Sequence, residues 1–171
     1  MKMAATRDRD ELMGEMGGVS VRACRAAEIF EDAASADLIA EYERECANPL
    51  LGACAPQREM YEAVEGLGAA QCFVAYQSKV LAGFAFVLMT VLPHYGHGRK
   101  FASVESLFVS QAARASPVGS KLMDLLEHHC REAGCVAISY SAPVGSRLER
   151  LLFLSNDRYL NTHRVFCQRL Q

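Results

Sequence analysis

The stretch that decides the fold is FASVESLFVSQAARASPVGSKLMDLLEHHCREAG, residues 101–134. Its opening, FASVESLFV, is rich in β-formers and predicts a strand over 101–109. From Val118 the apolar period changes. Leu122, Leu125, Leu126, His129 and Ala133 fall on one helical face, and Lys121, Asp124, Glu127 and Arg131 face water. Gly134 can cap this helix, and His129 reads as a core histidine. A strand that passes through a short loop into a helix sets the helix's unpaired N–H groups beside the strand end. Such amides are a ready site for phosphate. The turn into the helix is Arg114-Ala115-Ser116-Pro117-Val118-Gly119. Pro117 brings no amide hydrogen but suits a first helical turn.

The flanking sequence predicts more strands and helices around this unit. Residues 19–24 alternate as a short strand, and 27–46 place Phe30, Ala34, Leu38, Tyr42 and Cys46 on one helical stripe. Asn48-Pro49 breaks that helix. A second begins at Pro56, carries Met60, Val64 and Leu67 at helical spacing, and ends at Gly66 and Gly68. Residues 72–76, the turn Gln77-Ser78-Lys79 and residues 80–92 read as an antiparallel hairpin. The loop PHYGHGRK, 93–100, leads into the central strand. A strand at 136–141, a helix at 147–155 and a closing strand at 162–169 complete the pattern. No repeat or linker divides it, so residues 19–171 are expected to form one α/β domain after a flexible leader, 1–18.

Composition narrows the function classes. A chain of 171 residues, 51% apolar and 22% charged, suits one core. A net charge of -2 offers no broad cationic field, which argues against nucleic acid and anionic membrane as partners. The longest apolar run, 80–92, is interrupted by Gly83 and Thr90 and is too short to span a bilayer. The first residues lack the apolar segment of a secretory signal, so a cytoplasmic protein is expected. Seven cysteines without a CxxC pair support neither a disulfide framework nor a zinc knuckle, and Cys130 and Cys135 read as structural. His94 and His97 have no carboxylate or cysteine at ligand spacing, so no metal is expected.

GFAFVLMT at 83–90, PHYGH at 93–97, VESLFV at 104–109 and RxxxxGSKL from Arg114 together resemble the GCN5-related N-acetyltransferases, and within them the diamine and polyamine branch. The ending, SAPVGSRLERLL to NTHRVFCQRL, also resembles small acetyltransferases carried by phages and prophages. The resemblance spans about residues 19–170 in element order. It implies a twisted, mostly antiparallel sheet with helices on both faces, in which the fourth and fifth strands splay to admit CoA.

It further implies acetyl-CoA as cofactor and a small-molecule or peptide amine as acceptor, joined in a ternary complex; a dimer is common in the family. The loop resembles the family's RGxGxG, with Arg114 and Gly119 matching and Ala115 and Pro117 replacing glycines. CoA contacts then fall on Leu107, Phe108 and Val109 of the strand and on Arg114, Ala115, Ser116, Val118, Gly119 and Ser120. The Val109 backbone would polarise the thioester carbonyl, because its amide is oriented where the oxyanion develops. Glu105 matches the polyamine branch's general base and is expected on the strand face of Leu107 and Val109 by the period of two. His94, Tyr95 and His97 would line the acceptor pocket. The family's acid tyrosine is absent, since Leu154 and Phe153 stand there, and Tyr159 reads as structural. Ser146 and Arg147 replace the asparagine often found at that helix's start. Pro117 and the missing tyrosine favour one rival, a non-catalytic module of the same fold that engages a protein partner. Glu105 and the intact VESLFV oppose it.

Overall fold

The hairpin is the centre of the sheet in the computed structural model, which describes residues 18–48, 52–92, 98–155 and 157–162. Strands β2 (Ala70–Gln77) and β3 (Val80–Val91) are joined through Ser78 and Lys79, both at positive φ (50° and 66°). Two left-handed residues in succession make the turn whose twist matches the flanking strands. Strand β1 (Val19–Cys24) pairs antiparallel with β2, and β4 (Lys100–Val109) pairs antiparallel with β3. Strand β5 (Cys135–Tyr140) lies parallel to β4, which gives the order β1-β2-β3-β4-β5. Parallel neighbours need a crossover connection. Helix α4 (Val118–Glu132) supplies it.

Each face of the sheet carries its own core. On one, Val118, Leu122, Leu125 and Leu126 of α4 cover Phe73, Ala85, Val87, Ala102 and Val104. On the other, α1 (Ala26–Glu31), α2 (Ser35–Glu45) and α3 (Arg58–Gly66) cover Cys72, Val74, Phe84, Phe86 and Phe108. The middle strands are buried on both sides, which is why they read as near-continuous apolar runs. Gly83 marks a close approach. A Cβ there would lie 2.7 Å from the Phe108 carbonyl oxygen and 3.2 Å from Leu122. Gly83→Ala is therefore expected to destabilise the fold by about 1–3 kcal/mol, read as a lower denaturant midpoint with an unchanged m-value.

Three expectations are corrected. The single helix over 27–46 is two, because Asp32 accepts the Ala34 N–H at 2.9 Å and the buried Ser35 hydroxyl donates to the carbonyls of Ile29 and Asp32. These local bonds compete with the helical ladder. The break moves the buried stripe to Ile29 and Leu38, and Ala34 is exposed. In α3 the inward residues are Tyr61 and Val64, with Met60 63% and Leu67 82% exposed. Tyr61 turns the helix inward by packing edge-on against Phe86, at 4.5 Å between ring centres. The third correction concerns Glu127, whose side chain is only 10% exposed. It accepts hydrogen bonds from Tyr140 Oη at 2.8 Å, Tyr159 Oη at 2.7 Å and Arg158 at 2.6 Å.

Burial pushes the Glu127 carboxyl up, but the bonds from Arg158, Tyr159 and Tyr140 outweigh it and hold the group below its ordinary value of 4.5. A carboxyl lowered in the folded state adds stability that is present above 4.5 and is lost as pH falls through the lowered value. The melting-temperature gap between wild type and Glu127→Gln should accordingly be widest near neutral pH and shrink below about 4.5. Most of the closing strand expected at 162–169 lies outside the described residues, as does nearly all of the leader.

Candidate active site

The β4–β5 ladder runs from Lys100 opposite Cys135 to Val104 opposite Tyr140 and then stops. Strand β4 continues through Glu105 to Val109, paired among the described residues only on its β3 side. Among those residues its other edge is therefore open beside the start of α4. A Cβ on Gly119 would lie 3.6 Å from Val109 Cγ2, so the helix's first turn abuts the strand's last residue. The Ser110 N–H donates to the Ala82 carbonyl of β3 at 2.9 Å. Since successive amides in a strand point to opposite edges, the Val109 N–H points to the open one.

The loop offers further unpaired donors. Lys121 is the first residue of α4 whose N–H has an intrahelical partner, the Pro117 carbonyl at 3.0 Å. The Val118 N–H reaches only Ser116 Oγ, at 3.4 Å. Among the described residues the N–H groups of Ala115, Gly119 and Ser120 have no acceptor. These are the orphan donors of a helix start, and they suit an anion. The side chain of Val118 is fully buried, and the hydroxyls of Ser116 and Ser120 donate to the carbonyls of Ala113 (2.7 Å) and Pro117 (3.0 Å). The loop therefore presents backbone rather than side chains.

Glu105 is not on the face of Leu107 and Val109. Val104 pairs with Val87 and Ser106 with Phe86, so Glu105 is the extra residue of a β-bulge. The bulge shifts the alternation by one. Val104, Leu107 and Val109 pack on the α4 side, and Phe108 is buried on the side of α1 to α3. Glu105 is exposed and interacts electrostatically with Tyr61 of α3. Burial, then the Glu105 charge, raise the Tyr61 phenol above its usual range. The Ser106 hydroxyl, next in the bulge, is buried without a hydrogen-bond partner among the described residues.

Arg114 has a different neighbourhood from the one its motif implies. Its Nε donates to the Val109 carbonyl at 3.0 Å, and its guanidinium lies 5.5 Å from the Phe108 ring centre. It pairs with Glu45 at 2.5 Å and Glu41 at 3.8 Å, both on α2. Glu41 also accepts the Gln111 N–H at 2.7 Å. These two acids were not singled out in the sequence. Their i,i+4 spacing on α2 is visible there, but their partner lies some seventy residues away. Tyr61 of α3 likewise meets Glu105 only across a long sequence separation, whereas Ser106 is the sequence neighbour of Glu105 and nothing local marks its burial.

The other expected residues are quickly placed. His94, Tyr95 and His97 lie outside the described residues. Phe153 and Leu154 of α5 (Arg147–Leu154) are 57% and 86% exposed, and Ser146 caps that helix by accepting the Glu149 N–H. No group of three or more metal-binding side chains occurs among the described residues, and no described helix is long and apolar enough to cross a membrane.

Comparison with known proteins agrees with the fold. Residues 32–146 match the model of the acetyltransferase (GNAT) family. Among solved structures, an aminoglycoside acetyltransferase from an uncultured soil metagenomic sample superposes with a TM-score of 0.69 at 14% identity, covering 90% of this chain and 97% of that one. A glucosamine-6-phosphate N-acetyltransferase from Arabidopsis thaliana gives 0.66 at 15% identity over 90% and 99% of the two chains. A ribosomal-protein-alanine N-acetyltransferase from Brucella melitensis gives 0.63 at 18% over 88% and 98%. At such identities the likeness is one of fold. No curated protein matches the sequence. With a family model that covers most of the described sheet and its α4 crossover, the chain belongs to the GNAT family and is an N-acetyltransferase by class.

Proposed function

We propose that this chain transfers an acetyl group from acetyl-CoA to a primary amine, of a small molecule or a protein, by direct attack in a ternary complex. The observation that carries this is the open edge of β4 from Glu105 to Val109, set against the unpaired amides at the start of α4. The amides of Ala115, Gly119 and Ser120 would hold the pyrophosphate, and the Ser116 and Val118 backbone would shape the turn around it. Pro117 removes one donor and leaves these three. The strand backbone at Leu107 to Val109 would guide the pantetheine arm. The Val109 N–H would donate to the thioester oxygen as charge develops there. Arg114 would support that strand end through the Val109 carbonyl rather than meet the phosphates.

Acetyl-CoA supplies an activated acetyl group with a thiol as leaving group. An alkylammonium, with a pKa of about 10, must lose a proton before it can attack. Glu105 would accept that proton, directly or through water. Its bulged position supports this, because the bulge turns the carboxylate to the face opposite Val109's side chain, where the acceptor can approach without crossing the cofactor. The nitrogen–carbon bond forms, the carbon–sulfur bond breaks, the nitrogen releases its second proton to solvent, and the sulfur takes a proton from solvent. Holding both reactants in one cleft supplies much of the rate. The motif likeness to the polyamine branch supports the role of Glu105, and the likeness to phage-borne enzymes keeps protein amines among the acceptors.

Initial rates measured while both substrates vary test the reaction order. Intersecting double-reciprocal lines are expected; parallel lines, the mark of a covalent acetyl-enzyme, would contradict direct transfer.

A further inference from the structure

The charges along the end of β4 and the loop that follows it carry the proposed function one step further, to the kind of amine. The C-terminal half of β4 and its loop meet three carboxylates: Glu41, Glu45 and Glu105. Two of them already hold protein donors. Glu45 is paired with Arg114 at 2.5 Å, and Glu41 takes the Gln111 N–H at 2.7 Å with Arg114 at 3.8 Å. The Glu41 side chain is only 18% exposed. Glu105 alone is exposed with no hydrogen bond or ion pair among the described residues.

The neighbour it meets is aromatic, and further rings follow along the same face of the sheet. Tyr61, within electrostatic reach of Glu105, packs on Phe86 at 4.5 Å and Phe30 at 5.7 Å. Tyr42 of α2 stands edge-on to Phe84 at 5.2 Å and Phe108 at 5.4 Å. One free carboxylate against a ring-lined wall binds one ammonium with an apolar body behind it. A polycation needs a field of several unpaired acids, because each further ammonium must otherwise lose water without a partner. Among the three carboxylates that meet this end of β4, Arg114 occupies two and leaves Glu105.

We infer that the acceptor is a singly charged amine on an apolar body, rather than a polyamine or a multiply aminated sugar, and that the Glu41–Arg114–Glu45 cluster sets this preference. The inference rests on the acetyltransferase proposal above. It also departs from the polyamine likeness of the motifs, which concerns the base and not the acceptor's charge.

The test measures thiol release from acetyl-CoA with phenethylamine, tyramine, spermidine and kanamycin, after acetyl-CoA binding has been recorded separately. The two monoamines are expected to exceed the two polycations in kcat/KM by about tenfold or more. In Arg114→Gln the freed Glu41 and Glu45 should narrow that ratio by raising the relative kcat/KM of spermidine. Spermidine or kanamycin matching the monoamines in wild type would overturn the inference and leave the acetyltransferase standing. An equal loss for all four amines in Arg114→Gln would overturn the role given to the cluster. Bound acetyl-CoA with none of the amines acetylated would overturn both the inference and the proposal beneath it.

Discussion

Glu105→Gln is expected to lower kcat by about a thousandfold, within the span of general-base contributions, with acetyl-CoA affinity unchanged. The two observables separate because of where the bulge puts the residue. Glu105 stands on the face of β4 proposed for the acceptor, whereas Leu107 and Val109 pack toward α4 and the proposed cofactor path. The deficit should also depend on pH. As pH rises toward the amine's own pKa, the free-base fraction grows about tenfold per unit, and the variant should recover in proportion. Pre-steady-state and steady-state rates of thiol release between pH 7 and 10 would check this. A pH-independent deficit, or a loss of acetyl-CoA binding, would assign Glu105 another task.

The second large effect is expected at Gly119. The added Cβ of Gly119→Glu would lie 3.6 Å from Val109 Cγ2, an ordinary contact, so the fold should tolerate it. A carboxylate in the first turn is favoured by the helix dipole by about 0.3–1 kcal/mol, which adds to the variant's stability. The same carboxylate, however, competes for the amides of Gly119 and Ser120 and repels a pyrophosphate. Acetyl-CoA affinity should fall by about a hundredfold or more, the size of a displaced charge-assisted contact set, while the melting temperature holds or rises. Thermal melts and binding titrations on the same preparation would show this opposite movement. A variant that binds as well as wild type would remove the α4 amides from the cofactor site.

How much of this was legible in the sequence follows from the range of each interaction. The hairpin, the period change at Val118 and the Gly134 cap are local, and the strand and helix within residues 101–134 form where their pattern predicts. The order of elements also placed the β4 end beside a helix start. What failed was phase. The period of two carries Glu105 to the face of Val109 only if the strand is regular, and nothing in VESLFV announces the bulge that arises from pairing with Phe86 and Val87. The break at Asp32 rests on bonds made by the Asp32 and Ser35 side chains, which a helical period does not register. Arg114 shows the converse limit. Its place in a motif implied phosphate, whereas its contacts are Glu41, Glu45, Phe108 and the Val109 carbonyl. Those partners meet only once α2 packs across the sheet, and no local spacing encodes that meeting. The helical phase of Glu127 points it to water, and its burial depends on Tyr140 and Tyr159 arriving from later elements.

The open edge of β4 and the start of α4 are proposed to form an acetyl-CoA site, and calorimetric titration of the purified wild-type chain with acetyl-CoA tests this. Saturable binding at one site per chain with a micromolar Kd, an affinity of about -8 kcal/mol, is expected. An absence of binding at millimolar acetyl-CoA would contradict it.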